Sequence, residues 1–302
     1  MLALEYGVQR TYAFDVHVVC VLEHGIGTIS RATAGDRNQQ HNNVTREYQL
    51  DNFVHLIQGS ELINKILRQA PHINIITTSR ERLNLRGEWV IEMKGMAYPP
   101  ESFAQLRNGV SKIRDKNDSF DSEHHFHAID LFSQSARRAH SGFALTAENY
   151  LAVVQICQLV KGIPLAIELA ASWVRVLSCE EIATEIEASY EFLATTWRDV
   201  PKRHRSIQAV FDYSWNLLSE PERLAIEELS IFHGGFERKA AMDVSNASLF
   251  LLSALVDKSF LYLQRTIVEK TQASYRMHEL LRQYATEKLK QNGANYAQVR
   301  LR

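Results

Sequence analysis

The stretch Lys161-Gly162-Ile163-Pro164-Leu165-Ala166-Ile167-Glu168-Leu169-Ala170-Ala171 constrains this chain more than any other. Gly162 can enter backbone conformations closed to other residues and suits the end of the helical stretch before it. Pro164, with φ fixed and no N–H, suits the first turn of a new helix. From Leu165 to Ala171 the only charge is Glu168, so that helix is expected to be buried around most of its circumference. A tight break followed by a buried helix makes a rigid corner. Alone, the stretch reads as a core helix with a proline start.

Composition sets the frame. At 302 residues the chain has room for two or three domains. With 45% hydrophobic and 23% charged residues it can bury substantial cores. A net charge of −1 gives no global attraction to nucleic acid or to an acidic membrane. Cys20, Cys157 and Cys179 show no CxxC spacing and are expected to be reduced thiols in a cytoplasmic protein. No apolar run approaches the roughly 20 residues that cross a bilayer, and no leader pattern opens the chain.

Along the chain, Thr11–Leu22 alternates as a half-buried strand and runs into His24-Gly25-Ile26-Gly27-Thr28. A phosphate-binding loop in that place needs G-x-x-x-x-G-K-[ST]. Thr28 stands where the lysine belongs, and none of the 13 glycines is followed by lysine. The polar stretch Ala34–Gln49 reads as a mobile loop or linker. A helix is expected from about Val54 to Gln69, then strands at Ile73–Thr78 and Trp89–Met93, with Pro99-Pro100 closing the sheet domain. Asp51 and Arg80 each end a strand. Ligands gather beyond the carboxyl ends of strands in open α/β sheets, so the two residues either face one pocket or form a surface ion pair.

Asn108–His127 is polar, and its Glu123-His124-His125-Phe126-His127 lacks the cysteine or second histidine pair of a zinc site. Helices follow at Ile129–Arg138 and Ala147–Val160. Ser178…Glu181 and Ser219…Glu222 have capping-box spacing. The helix after Ser219 is expected to turn Leu224, Ala225, Leu229 and Phe232 inward and to end at Gly234-Gly235. Leu249–Phe260 reads as a further helix. Leu261–Leu263 and Ser274–Met277 are expected to pair as a two-stranded wing before a closing helix, His278–Lys290.

Four of these segments together resemble STAND-class signalling ATPases, the NB-ARC-like switch proteins of bacterial regulators and plant resistance proteins. Leu50-Asp51-Asn52-Phe53 is similar to the end of a Walker B strand, and Thr77-Thr78-Ser79-Arg80 to the sensor strand. Gly162-Ile163-Pro164-Leu165-Ala166 resembles the GLPLA motif, and Tyr275-Arg276-Met277-His278-Glu279 the methionine-histidine-aspartate motif. The resemblance runs from about Glu47 to Gln291.

It implies an α/β region followed by all-α: a partial P-loop-type parallel sheet, a helical domain and a C-terminal winged helix. The expected divisions are a degenerate or disordered segment over 1–49, a partial nucleotide-binding domain over 50–105, a helical domain over 125–200 and a winged helix over 205–291. The implied ligand is ADP or ATP with Mg²⁺. Asp51 would be the acid beside the magnesium and Arg80 the sensor near the γ-phosphate. Gly162 and Pro164 would lie at the nucleotide, and His278 at the β-phosphate of ADP. Equally, His278 can serve only to hold wing to helix.

The chain departs from the family in lacking the P-loop lysine motif and in carrying Val54 where relatives commonly have glutamate. ATP hydrolysis is therefore not expected, and the nucleotide site is expected to be weak or lost. The alternatives are a non-catalytic interaction module and a winged-helix DNA-binding regulator. The candidate recognition helix, Ser248–Lys258, offers one lysine among apolar residues and argues against direct nucleic-acid contact. Other protein domains or a second copy are the expected partners.

Overall fold

The computed structural model describes residues 18–22, 46–50, 59–70, 73–100, 126–195, 201–264 and 274–292. They fall into two compact units. The first takes in Asp15–Met93 and the second Lys94–Val256 and Phe260 onward. The chain thus changes unit at Met93, before the Pro99-Pro100 pair that the sequence offers as the boundary.

The first unit is a four-stranded sheet with a helix. Strands β1 (Val18–Leu22), β2 (Arg46–Leu50), β3 (Ile73–Ser79) and β4 (Glu88–Glu92) lie in the order β2-β3-β1-β4. β2 and β3 are parallel, in a register that sets Leu50 against Thr77, with helix α1 (Ser60–Gln69) in the chain between them. That is the strand-crossover-strand unit which parallel pairing requires. β1 runs antiparallel to both β3 and β4. The sheet is therefore mixed, where the family resemblance implies a parallel one.

Ile63 and Leu67 of α1 pack with Ile75 and Leu83 in a small core. β2 also takes in Arg46–Gln49, which the polar composition places in a loop. The register with Ile73–Ile76 supplies the backbone partners that this polar strand needs. Expected helix residues 54–58 lie outside the described residues.

The second unit is helical. In chain order it contains α2 (His127–Ala139), α3 (Tyr150–Leu159), α4 (Pro164–Ala171), α5 (Cys179–Ala188), α6 (Ile207–Trp215), α7 (Glu220–Leu229), α8 (Arg238–Ser245), α9 (Leu249–Asp257) and α10 (Glu279–Gln291). One hydrophobic core runs from Ala128 to Ala285. Phe132, Ile156, Leu165, Ile186, Ile207 and Tyr284 are all fully buried, so the two helical regions expected from sequence are one packed body. Both capping boxes form. Ser178 and Glu181 exchange bonds of 3.2 and 2.8 Å. At α7 the buried Glu222 carboxylate accepts both the Ser219 N–H (2.7 Å) and its hydroxyl (2.8 Å).

β6 (Tyr262–Gln264) and β7 (Ser274–Arg276) pair antiparallel as the wing spacing suggests. A third strand, β5 (Gly235–Glu237), joins the other edge of β7. Phe236 is buried there between Phe232 and Tyr275, which is why three residues suffice. One inward assignment fails. Leu224 is exposed, because α7 turns the stripe Ala225, Ile226 and Leu229 to the core. α9 buries Leu252 and Leu255 but leaves Phe250 88% exposed, so this helix is packed along one face only.

Candidate functional site: the Gly162–Pro164 corner

The corner is built from backbone. α3 is apolar and buried through Ala152, Val153, Val154, Ile156 and Cys157, so its end must be satisfied inside the protein. Lys161 N–H donates to the Gln158 carbonyl (3.1 Å) and Gly162 N–H to that of Cys157 (3.0 Å). This pair of bonds is the Schellman closure. Lys161 (φ 51°) and Gly162 (φ 70°) are both left-handed. The sequence assigns this role to Gly162 alone, but Lys161 takes the first left-handed position and Gly162 the second. Ile163 is extended, and its carbonyl accepts from Ile167 (2.9 Å) as α4 begins with Pro164.

The stretch Lys94–Pro100 lies against this corner like a strap. Met96 N–H donates to the Gly162 carbonyl (2.8 Å), Gln158 Nε2 to the Pro99 carbonyl (2.8 Å), and Ala128 N–H to the Ala97 carbonyl (3.2 Å). A Cβ on Gly95 would run into the Lys161 carbonyl oxygen, and one on Gly162 into that of Met96. Two glycines thus let two backbones touch with no side chain between them. Gly95 was missed by sequence reasoning. No local signal marks it, since Gly95 lies three residues beyond β4 and its close neighbour is Lys161.

On α4 every side chain is buried except Pro164 and Glu168, which are half-buried and one turn apart. The helix therefore shows its surroundings one narrow stripe, a proline ring and a carboxylate. Such a surface can pack a flat apolar ring, but it holds no cation for a phosphate.

His278 is the N-cap of α10. Its Nδ1 accepts the Leu280 N–H (3.2 Å), which puts the ring proton on Nε2, and Nε2 is shielded from solvent. Next to it, Arg282 holds Glu279 through two bonds (2.9 and 2.6 Å) and reaches the Ser230 carbonyl (3.3 Å). Burial raises the Glu279 carboxyl pKa, but the Arg282 bonds and charge together outweigh it and leave that value below the ordinary one. Glu279 and Arg282, the charges that follow His278 on α10, are thus matched with each other.

Arg80 lies at the end of β3 in the first unit, 3% exposed, following the fully buried Thr77, Thr78 and Ser79. Its strand is the parallel neighbour of β2, whose last residue is Leu50. Asp51 lies outside the described residues, as do Gly25, Gly27, His124 and His125. Among the described residues no three His, Cys, Asp or Glu side chains group as metal ligands. Burial pushes the Cys157 thiol up to about 12, and burial with Glu180 pushes Cys179 up to about 11. Neither is a thiolate nucleophile at neutral pH. No single helix among the described residues is long and apolar enough to cross a membrane.

No family model matches the chain. It is 32% identical over 253 residues to an uncharacterized protein of Mycobacterium tuberculosis, covering 81% of this chain and 57% of that one. It is also 32% identical over 252 residues to a Mycobacterium bovis protein provisionally named an HTH-type transcriptional regulator, covering 25% of it. The chain thus spans little more than half the length of the first relative and a quarter of the second. A solved STAND protein with a tetratricopeptide-repeat sensor from Pyrococcus horikoshii aligns over 80% of this chain and 28% of its own, at 17% identity and a TM-score of 0.24.

Proposed function

We propose that this chain is the nucleotide-responsive region of a STAND-type signalling regulator, one that binds ADP or ATP weakly and does not turn it over. The observation that carries the reading is the corner. Gly162 and Pro164, the residues of the GLPLA-like motif, form a rigid backbone joint with a half-buried proline, locked to the strap Lys94–Pro100. In this reading Pro164 packs near the nucleotide. Asp51 holds Mg²⁺, which would neutralise phosphate charge, and Arg80 faces the γ-phosphate. Beyond the ends of two parallel strands such a cation is well placed for an anion. His278 reaches the β-phosphate only if its Nε2 turns outward. The helices around the β5-β7-β6 sheet serve as the winged helix.

The test is ADP titration of the purified chain by calorimetry with and without Mg²⁺, beside Asp51→Ala and Arg80→Ala, together with an assay of phosphate release. Measurable binding weakened by both substitutions, with no sustained release, is the expected result. Absence of any binding refutes the reading. A protein-interaction module is the second reading, and the exposed Phe250 on α9 with the inward-committed His278 favours it. Partner capture that depends on Phe250 and ignores nucleotide would establish it.

A further inference from the structure

Glu88, the first residue of β4, closes the loop that follows Arg80. Its Oε1 accepts the Leu83 N–H (2.9 Å) and its Oε2 the Leu85 N–H (3.1 Å). Its own N–H donates to the Leu85 carbonyl (3.1 Å). Asn84, between the two clasped amides, is left-handed at φ 56°. At the other end of the loop the Ser79 hydroxyl accepts the Glu81 N–H (3.3 Å). Leu83 is buried in the core with Ile63, Leu67 and Ile75, so the clasp and the core fix the same few residues.

A carboxylate is suited to this task because its two oxygens accept two converging N–H groups at once, and bonds to a charged acceptor are stronger than neutral ones. Only Glu81 and Arg82 separate Arg80 from the clasped Leu83, so the loop has little freedom to let the guanidinium drift. A group that must meet a phosphate needs such preorganisation, since small displacements at a charged site are costly.

We infer that Glu88 is the positioning residue of Arg80, its carboxylate holding the Leu83 and Leu85 amides so that the buried guanidinium is presented in one place to a nucleotide phosphate. The phosphate part of this inference rests on the function proposed above. The positioning part does not.

The experiment uses the full chain, with Glu88→Ala, Arg80→Ala and the double variant. Amide exchange at Leu83 and Leu85 should speed up about tenfold or more in Glu88→Ala, as expected for losing a bond to a charged acceptor. The Arg80 Nε–H resonance should shift or broaden in the same variant without ligand. ADP affinity in Glu88→Ala should fall to that of Arg80→Ala, and the double variant should bind no more weakly than either. Losses that add would overturn the inference, because a merely structural role leaves the two effects independent. Unchanged exchange at both amides, or an unmoved Arg80 resonance, would overturn it too. If the parent chain binds no ADP, the nucleotide reading fails, while the amide and Arg80 signals still decide the positioning. Should Glu88→Ala unfold the unit, Glu88→Gln keeps one acceptor and should deprotect one of the two amides; protection of both would refute the clasp.

Discussion

Substituting Gly162 by alanine should cost far more than its size suggests. At φ 70° the backbone is left-handed, and an L side chain there costs about 1–2 kcal/mol. The added Cβ also meets the Met96 carbonyl oxygen, so strap and corner must separate. That movement weakens the Met96–Gly162 hydrogen bond of 2.8 Å, a further loss of about 0.5–1.5 kcal/mol. The sum is about 1.5–3.5 kcal/mol. Lys161 supplies the internal control. It is also left-handed, at φ 51°, but already carries a Cβ, so Lys161→Gly relieves backbone strain while adding freedom to the unfolded chain. The two effects nearly cancel, and the variant should stay within about 1 kcal/mol of the parent. Urea melts of both variants, compared at equal slope, measure the difference. If Gly162→Ala melted within about 0.5 kcal/mol of the parent, a typical surface effect, the tight strap-to-corner packing would be wrong.

Along α4 the costs should split by burial. Leu169→Ala should lose about 2–5 kcal/mol, since the side chain is fully buried, while Pro164→Ala should lose only about 0.4–1 kcal/mol, and comparable losses in denaturant melts would contradict the one-sided burial. Two carboxylates near α10, the buried Glu227 and the partly exposed Glu279, should give stability profiles of opposite sign. Glu227 is raised above its ordinary 4.5 by burial, despite the Asn292 side-chain bond (2.7 Å), so its contribution is full below 4.5 and is lost as pH rises through the raised folded value. Glu227→Gln should therefore gain on the parent toward neutral pH. Glu279 is depressed, so its contribution is present above 4.5 and lost as pH falls through the folded value. Glu279→Gln should lose against the parent at neutral pH and converge with it in acid; thermal melts across pH that showed the same trend for both would refute the assignment.

Local signals were legible in the sequence and long-range ones were not. The capping boxes at Ser178 and Ser219 could be read because all their atoms lie within one helical turn. The corner could be read because Gly and Pro limit the backbone whatever packs on it. The close partner of the corner, Gly95, could not, since its need for a missing Cβ arises from Lys161, a residue distant in sequence. Strand direction was equally hidden. The alternation in Val18–Leu22 marks a pleated segment, but the same pattern suits a parallel or an antiparallel neighbour, and only the fold reveals antiparallel pairing with β3 and β4. For His278 the sequence left two roles open, contact with the β-phosphate of ADP or holding wing to helix. What the structure adds is that the Leu280 N–H takes Nδ1 and holds the ring at the N-cap of α10.

Two features missed by sequence reasoning, the Glu88 clasp and the Gly95 contact, lie on one short run of chain. β4 starts at Glu88 and ends at Glu92, and only Met93 and Lys94 intervene before Gly95. Glu88 fixes the loop after Arg80, and Gly95 with Met96 fixes the strap to the Gly162 carbonyl. Each end of this run is thus held by bonds within its own unit, Glu88 to the Leu83 and Leu85 amides and Met96 to the Gly162 carbonyl.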